Sequence, residues 1–198
     1  MKDYKELIKD PEILELFKNL NKLKEYLDNN TEEKYQRINP FTENLFDWKD
    51  KGSKLFENKN ITIYDTSTIV GQVEIGENTW IGPYTALDGN GGLKIGKYCS
   101  ISAGVNIVSH DSVKWALSGG LHAYEYAPIE IGDYCFIGTG AFITRGVKIG
   151  NHCLIGAGAV VTHDIPDYSI ALGIPAKICG KVQIVNDKVE YIYFKKDQ

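Results

Sequence analysis

An aliphatic residue recurs about every six positions through the middle of the chain, and this period limits the possible folds more than any other sequence feature. Each recurring residue is Ile, Leu or Val, and glycine follows it in many units. A six-residue unit does not fit the 3.6-residue period of an amphipathic helix, but it fits a short strand followed by a turn. The recurring positions are Ile69, Ile75, Ile81, Leu87, Ile95, Ile101, Ile107, Ile131, Ile137, Ile143, Ile149, Ile155 and Val161.

Three such units close one triangular coil, and successive coils stack at the spacing of neighbouring strands, about 4.8 Å. The aliphatic side chain points into the coil, the glycine gives the backbone freedom at the bend, and a small residue fills the next corner. The thirteen units predict a little over four coils. We therefore expect an all-β core over residues 61–181, built as a parallel β-helix of hexapeptide repeats.

The period breaks twice, and both breaks are candidate functional positions. The step from Leu87 to Ile95 is eight residues, which inserts two residues into the repeat. The step from Ile107 to Ile131 is twenty-four residues and includes a stretch without the pattern. This stretch predicts an excursion loop over 111–128, and loops of that length are usually functional.

The flanking segments lack the six-residue period. Residues 1–60 predict an N-terminal helical segment, in which Asp10 is the N-cap and Pro11 the first residue of an amphipathic helix that ends at Asn29-Asn30. A short second helix and a connector are expected before residue 61. Residues 182–198 predict a terminal hairpin or tail, because two apolar runs are separated by Asn-Asp.

Composition excludes several classes of protein. The chain carries 22 basic and 26 acidic residues, and this net charge of −4 argues against nucleic acid as a partner. No apolar run reaches the roughly 18 residues that span a bilayer, and the N-terminus shows no signal pattern, so a cytoplasmic protein without membrane insertion is expected. The four cysteines form no CxxC pair, which disfavours a disulfide scaffold or a zinc ribbon, and no metal is expected.

Three passages give residues 69–181 a family resemblance. Residues 109–111 read SHD and precede the excursion loop, which re-enters the repeat at residues 127–133 as APIEIGD. Residues 135–150 continue the repeat, and residues 155–177 close it with IGAGAVVT and then GIPAK. This combination resembles the hexapeptide-repeat acyltransferases, closest to the galactoside and maltose acetyltransferases and to the N-acetyltransferases of nucleotide-linked amino sugars.

The resemblance implies a left-handed coil, a homotrimer, and acetyl-CoA as cosubstrate in the groove between neighbouring rods. A shared site is physically reasonable, because a rod with flat faces forms a concave site most easily where two rods meet. The resemblance also implies the general base: His110 matches the family's catalytic histidine, which takes a proton from the acceptor as it attacks the thioester. Asp111, Glu125 and Glu130 are candidates for orienting the imidazole. Asp111 is the weakest of them, because adjacent residues of a strand point to opposite sides.

A covalent acetyl-cysteine route is disfavoured. Cys99, Cys135 and Cys153 occupy the inward small position of the repeat, where a buried thiol is expected to act as an apolar filler with a high pKa. Direct transfer from acetyl-CoA to the acceptor is therefore expected.

The resemblance also implies a cofactor-binding set. Residues without large side chains suit an extended pantetheine arm, which lies against backbone only where side chains are absent. The family usually has a basic residue after Val-Val-Thr, where this chain has a histidine. The positions that match the family are Phe136, Gly138, Thr139, Ala157, Gly158, His163 and Lys177.

The leading hypothesis is N-acetylation of an amino-deoxy sugar carried on a nucleotide, and O-acetylation of a sugar hydroxyl is the alternative. Candidate acceptor-binding residues lie at the two breaks of the period, and the first break is equally well explained as a plain turn. A zinc-dependent carbonic anhydrase of the same architecture would use His110, His122 and His152, whose spacing does not match. A purely structural rod would carry a regular outward array of threonines, which this chain lacks. The candidate acceptor-binding residues are Asp88, Asn90, Asp111, Trp115 and Tyr124.

Overall fold

A computed structural model describes residues 7–45, 48–57 and 59–194. The chain divides into two compact units, 1–47 and 48–198. The first unit contains α1 (Pro11–Tyr35) and α2 (Phe41–Leu45). Asp10 caps α1 as predicted, because its side chain accepts hydrogen bonds from the N–H groups of Glu12 and Ile13.

Helix α1 runs past its expected end at Asn29-Asn30. Asparagine lowers helix propensity only modestly, and the chain has no glycine or proline there to end the helix. The helix instead ends at Tyr35, before a residue in the left-handed conformation, Gln36 with φ of 52°.

The second unit begins with helix α3, which packs on the first coil and therefore belongs with the β-helix although the sequence groups it with the N-terminal segment. A Cβ on Gly52 would lie 2.0 Å from the carbonyl oxygen of Ile61, so the helix approaches the coil too closely for a side chain. The elements of this unit are α3 (Trp48–Phe56), β1 (Thr62–Ile63), β2 (Thr68–Ile75), β3 (Trp80–Ile81), β4 (Ala86–Ile95), β5 (Ser100–Ile101), β6 (Asn106–Val108), β7 (His110–Asp111), α4 (Val113–Leu117), β8 (Glu125–Tyr126), β9 (Ile129–Ile131), β10 (Phe136–Ile137), β11 (Phe142–Thr144), β12 (Lys148–Ile149), β13 (Leu154–Ile155), β14 (Val160–Val161), β15 (Ser169–Leu172), β16 (Lys177–Val185) and β17 (Lys188–Tyr193).

The strands form three faces of a parallel β-helix, which confirms the predicted fold class. Face 1 contains β1, β3, β5, β10, β13 and β15 in that order. Face 2 contains the first halves of β2 and β4 with β6, β11 and β14, and face 3 contains their second halves with β9 and β12. The left-handed sense stays a prediction from the resemblance.

We name the corners by the faces they join: the first corner joins face 1 to face 2, the second joins face 2 to face 3, and the third joins face 3 to face 1. The rod has about six coils rather than a little over four, because face 1 alone contains six strands. Ile61 and Ile63 open a coil before the first recognised repeat, and Ile170 lies in a coil after the last one.

The recurring aliphatic side chains fill the interior: from Ile75 to Val161, each is at most 3% exposed. The rod ends in the predicted hairpin, since β16 continues face 1 antiparallel to β15 and then pairs with β17. Asn186 and Asp187 form its two-residue turn, both with positive φ (49° and 61°), as a tight hairpin turn requires. Among the described residues, no helix combines the length and the apolarity needed to cross a bilayer.

The glycines that follow the aliphatic residues do not serve the purpose expected of them. A Cβ on Gly76 would lie 2.4 Å from the backbone nitrogen of Lys97, and one on Gly138 would lie 2.5 Å from that of Ala157. These glycines therefore allow the next coil to approach closely. The left-handed backbone of the bend falls two positions later, as at Asn78 with φ of 57°.

The inward thiols are hydrogen-bond donors rather than apolar fillers. Cys99, Cys135 and Cys153 donate to carbonyl oxygens of the next coil at 3.1, 3.0 and 3.1 Å, as the Thr79 hydroxyl does at 2.9 Å. The pKa of Cys135 is raised by hydrogen bonding with the other two thiols and by burial, while their pKa values are lowered, chiefly by hydrogen bonding with Cys135. All three are only 2% exposed, so the structure gives them a role in coil stacking.

Valine substitutions at two inward threonines are expected to change the stability of the fold in opposite directions. Thr79 Oγ1 donates to the next coil and accepts from the N–H of Cys99 at 3.1 Å, whereas Thr85 Oγ1 is buried without a partner among the described residues. Because an unpaired buried hydroxyl is costly, Thr85→Val is expected to stabilise the fold by about 1 kcal/mol and Thr79→Val to destabilise it by about 1–2 kcal/mol. Urea unfolding of both variants measures these shifts. Destabilisation by Thr85→Val would show that its hydroxyl has a partner.

Candidate functional site

The excursion loop leaves the rod at the second corner through a narrow neck. Strands β7 and β8 pair antiparallel, so that His110 faces Tyr126 and Asp111 faces Glu125. The chain between these strands contains the short helix α4. Because both strands of the neck are hydrogen-bonded to each other, His110 lies on a fixed ribbon rather than on a free loop.

The two breaks of the period meet in space and hold the neck together. The N–H of Gly91 donates to Ser109 Oγ at 2.7 Å, and the N–H of Ala127 donates to the Ser109 carbonyl at 3.0 Å. A Cβ on Gly91 would lie 2.4 Å from that carbonyl oxygen, so only glycine allows this approach. The first break lies at the second corner, where β4 passes from face 2 to face 3, and Asp88 accepts from the N–H of Asn90 at 2.8 Å, as in an Asx turn.

Asp88 is the carboxylate that contacts His110. Its carboxylate contacts His110 Nδ1, and the two side chains are 13% and 31% exposed. Neighbouring coils bring them together, since Asp88 pairs with Val108 in the ladder of face 2. The sequence did not predict this contact, and the role of Asp88 in acceptor binding stays a prediction. The sequence contained a signal for this contact: Leu87 and Ile107 are equivalent positions of neighbouring coils, so Asp88, which follows Leu87, lies beside the chain that leads to His110.

None of the three carboxylates proposed as partners of His110 contacts it. Asp111 and Glu125 both accept hydrogen bonds from Arg145, and the bond from Arg145 Nη2 to Glu125 is 2.7 Å long. Lys114 Nζ also donates to Glu125, at 2.6 Å. The Arg145 guanidinium lowers the pKa of Asp111 below its usual range through that hydrogen bond. The third carboxylate, Glu130, pairs with Lys148 at 3.3 Å. Sequence reasoning missed Arg145, which lies in a repeat unit with no break.

Aromatic side chains of the loop surround the imidazole. The ring of Tyr124 is nearly parallel to that of His110, with centroids 6.2 Å apart, and the Tyr126 centroid lies at 6.0 Å. Trp115 meets Tyr124 edge to face at 5.6 Å. Because Trp115 and Tyr124 remain 45% and 40% exposed, they offer apolar ring surface beside the imidazole.

Two other histidines, His152 and His163, lie outside the neck. His152 is stacked between Tyr134 and Tyr168 at the third corner, with both centroid distances 4.7 Å. His163 Nδ1 contacts the Thr162 hydroxyl at 2.9 Å. His110 lies at the second corner and His152 at the third, so the two imidazoles are on different edges of the rod. The described part of the chain contains no group of three His, Cys, Asp or Glu side chains placed to hold a metal.

Most of the predicted cofactor residues lie at or beside the first corner. Thr139, Ala157 and Gly158 are exposed in successive coils at the first corner, where the N–H of Gly158 donates to the Thr139 carbonyl at 2.8 Å. Phe136 lies nearby on face 1 and is 45% exposed. Gly138 is buried beneath the next coil, so packing explains its missing side chain.

The two remaining residues of that set are exposed at different places. His163 follows β14 at the second corner, at the opposite end of face 2. Lys177 begins β16, and the N–H of the preceding Ala176 donates to the carbonyl of Val160 at 2.8 Å. Because Val160 follows Gly158 by two residues, Lys177 lies beside the glycine-containing corner, and its contact with the cofactor stays a prediction.

The first corner is unusually bare. At the third corner, the left-handed position of successive coils is occupied by large or polar residues, including Tyr98 and Tyr134 with φ of 53° and 60°. At the first corner, the same position is Tyr84 in one coil but then Gly104, Gly140 and Gly158, with φ between 64° and 69°. Backbone conformation therefore does not require these glycines. A Cβ on Gly140 or Gly158 would meet nothing within 4 Å, so packing does not require them either.

Comparisons with known proteins agree with this architecture. Residues 128–163 match the family model described as bacterial transferase hexapeptide (six repeats). Galactoside O-acetyltransferase of Escherichia coli is 32% identical over 144 residues, covering 73% of this chain and 58% of that protein. The chain therefore contains bacterial transferase hexapeptide repeats, is similar to this acetyltransferase, and spans 58% of its length.

Two solved structures illustrate the likeness. A variant of AntD, an N-acyltransferase from Bacillus cereus in complex with dTDP and coenzyme A, is 25% identical with a TM-score of 0.57, covering 62% of this chain and 70% of its own. A hexapeptide-repeat acetyltransferase from Vibrio cholerae, solved with acetyl coenzyme A, is 21% identical with a TM-score of 0.54, covering 86% of this chain and 88% of its own, and shows the shared fold.

Proposed function

We propose that this protein is an acetyl-CoA-dependent acetyltransferase that acts on a sugar acceptor, with His110 as the general base. The observation that carries the proposal is the contact between Asp88 and His110 at the neck of the loop. It supplies an oriented imidazole beside exposed aromatic rings, in a chain that is similar to an acetyltransferase.

The residues perform the transfer as follows. Asp88 accepts the Nδ1–H of His110, which leaves the Nε2 lone pair available to take a proton from the acceptor. The same carboxylate then stabilises the imidazolium that forms. Acetyl-CoA supplies the acetyl group as a thioester. The acceptor forms a bond to the carbonyl carbon, the C–S bond breaks, and CoA leaves as a thiol that carries the proton returned by the imidazolium. Transfer is direct, because the three inward thiols are buried and engaged with carbonyl oxygens of the rod.

The bare first corner fits the pantetheine arm of acetyl-CoA. Gly140 and Gly158 are free of side chains without any need within the chain, so we infer that a bound molecule requires the space. Exposed Thr139 and Ala157 directly precede these glycines in the same two coils. Backbone can approach an extended ligand closely only where side chains are absent.

A homotrimer with sites between its subunits accounts for the distance between these parts. The first corner and the neck lie at opposite edges of face 2, separated by about five residues of extended chain or roughly 15 Å. The loop also exposes apolar side chains, Leu117 at 85% and Leu121 at 86%, as a surface that contacts another copy would. We propose that the neck of one subunit lies over the first corner of its neighbour.

Two acceptor classes fit the site. The amine of a nucleotide-linked amino sugar is the first, supported by the likeness to AntD, whose structure contains dTDP. A sugar hydroxyl is the second, supported by the galactoside O-acetyltransferase relative and by the Asp88–His110 pair, since a hydroxyl needs stronger base assistance than an amine. Trp115 and Tyr124 are proposed to stack on the sugar in both cases.

Thiol release from acetyl-CoA tests the proposal against nucleotide-linked 3-amino and 4-amino sugars, free amino sugars and plain glycosides. We expect turnover with an amino sugar, confirmed by mass spectrometry of the acetylated product. Cys135→Ser is the matched control, because serine keeps the donor and removes the thiol, and its turnover should equal that of the wild type. Turnover on hydroxyl acceptors alone would select the second class, and no thiol release with any acceptor would refute the activity.

A further inference from the structure

We propose that Arg145 is a positioning residue for acetyl transfer: it holds the neck closed so that His110 keeps its contact with Asp88. The proposal rests on the proposed function in that His110 is the base. Arg145 touches neither His110 nor Asp88 in the contacts of the structure; it acts through the opposite side of the neck.

The neck contains a repulsion that Arg145 neutralises. Asp111 and Glu125 lie directly opposite each other in the antiparallel pair of β7 and β8. Like charges in that arrangement destabilise strand pairing. Arg145 donates from Nε to Asp111 and from Nη2 to Glu125, so one guanidinium bridges both strands. Lys114 reaches Glu125 alone and cannot replace this bridge.

Arg145 is anchored on a rigid part of the rod. It follows β11, whose last residue, Thr144, pairs with Val108 just before the neck. The next residue, Gly146, donates its N–H to the Ala127 carbonyl where the loop returns. Arg145 therefore joins a fixed coil to a ribbon that has only two residue pairs of its own.

This bridge is coupled to the imidazole through the strand itself. Successive residues of a strand point to opposite sides, so fixing Asp111 on one side fixes His110 on the other. The facing strand repeats the arrangement with Glu125 and Tyr126. A displacement of about 1 Å in a catalytic group can cost about 100-fold in rate, so small movements of the neck are significant.

The geometry requires arginine rather than any cation. The two carboxylates lie on separate strands, and a planar guanidinium offers donors in a fixed fork that serves both, whereas a lysine ammonium acts as a point charge. Arg145→Lys is therefore expected to recover only part of what Arg145→Met loses.

The kinetic test compares Arg145→Met, Arg145→Lys and Arg145→Met combined with Glu125→Gln. We expect Arg145→Met to lower kcat about 10- to 30-fold with little change in the KM for acetyl-CoA, because the defect lies in orientation. Removing one of the two facing charges with Glu125→Gln should restore part of kcat. Lys148→Met, which breaks the exposed pair with Glu130, is the matched control and should keep wild-type kcat. A kcat of Arg145→Met within twofold of wild type would overturn the proposal.

Amide hydrogen exchange tests the bridge independently of any activity. In Arg145→Met the neck, residues 109–111 and 125–127, should exchange at least about 10-fold faster, while the rest of the rod and the Lys148→Met control stay unchanged. Unchanged exchange in the neck would overturn the proposal even if kcat fell. If the wild-type protein shows no acetyltransferase activity but Arg145→Met exchanges faster in the neck, the bridge is supported and the proposed function is refuted.

Discussion

His110→Ala is expected to lower kcat at least about 100-fold while leaving the KM for acetyl-CoA near its wild-type value. The reason is that Nε2 is the group proposed to remove the acceptor's proton, and general-base catalysis contributes about 100- to 10,000-fold. No proposed contact to acetyl-CoA involves the imidazole, so cosubstrate binding should persist. Initial rates of thiol release at saturating acceptor measure both constants.

Asp88 variants show whether the two residues act as a unit. Asp88→Asn keeps the shape and loses the charge that stabilises the imidazolium, and Asp88→Ala removes the contact entirely. We expect the alanine variant to lose more than the asparagine variant. The double variant Asp88→Ala with His110→Ala should be no slower than His110→Ala alone, because residues that act as a unit have non-additive effects. Additive losses would show that Asp88 acts on the substrate directly.

The size of the His110→Ala loss also depends on the acceptor. A hydroxyl must give up its proton as it attacks, whereas an unprotonated amine can attack first and lose its proton afterwards. The loss should therefore be larger for a hydroxyl acceptor than for an amino sugar presented to the same enzyme. Unchanged turnover on both acceptors would remove His110 from the mechanism.

The six-residue period predicted the rod because each recurring inward position must hold an aliphatic side chain, a requirement that is visible in the sequence of each repeat unit. The coil needs an aliphatic side chain at each recurring position, and from Ile75 to Val161 all of them are buried. Ile61 and Ile63 were missed because the unit that follows them keeps only part of the pattern. The sequence predicted that Gly76 gives the backbone freedom at the bend, but the glycine allows close approach of the next coil. Close approach and a left-handed φ both favour glycine, so the sequence alone does not distinguish them.

The site was harder to predict because its contacts join different coils. His110 stands at a visible break of the period, but its partner Asp88 lies one coil earlier and becomes adjacent only through the ladder of face 2. Arg145 is farther still, one coil after the loop, and nothing in its own repeat unit marks it. Breaks of a period therefore locate a site, while its charge pairs require the register of the strands.

The bare first corner predicts a second large effect. Gly158→Tyr is expected to raise the KM for acetyl-CoA at least about 30-fold with a small change in stability. Tyr84 holds the same left-handed position in an earlier coil of that corner, so the rod accepts this side chain there. The new ring would occupy the space proposed for the pantetheine arm. Steady-state kinetics and a thermal melt measure the two effects.

The control for Gly158→Tyr is His152→Tyr, which places the same ring at the left-handed position of the third corner. It should leave the KM for acetyl-CoA unchanged, because Tyr134 and Tyr168 already occupy that column. An equal rise in KM from both substitutions would show that general destabilisation, and not the first corner, is responsible.

Mixed trimers of His110→Ala and Gly158→Tyr test whether each site is shared between subunits. In the homotrimer that we propose, co-expression with two different tags and tandem purification would isolate trimers that contain both chains. If the neck of one subunit works on the first corner of the next, every mixed trimer has one site with both parts intact, and activity should return to about one third of wild type. If each site lay within one chain, every site would carry one of the two substitutions, and activity would stay at the level of the variants alone. Rates are measured at acetyl-CoA well below the KM of Gly158→Tyr, and trimers that carry His110→Ala under both tags, or Gly158→Tyr under both tags, provide the two baselines. Recovery would require the imidazole and the glycine corner to meet across the interface, since neither variant contributes a complete site by itself.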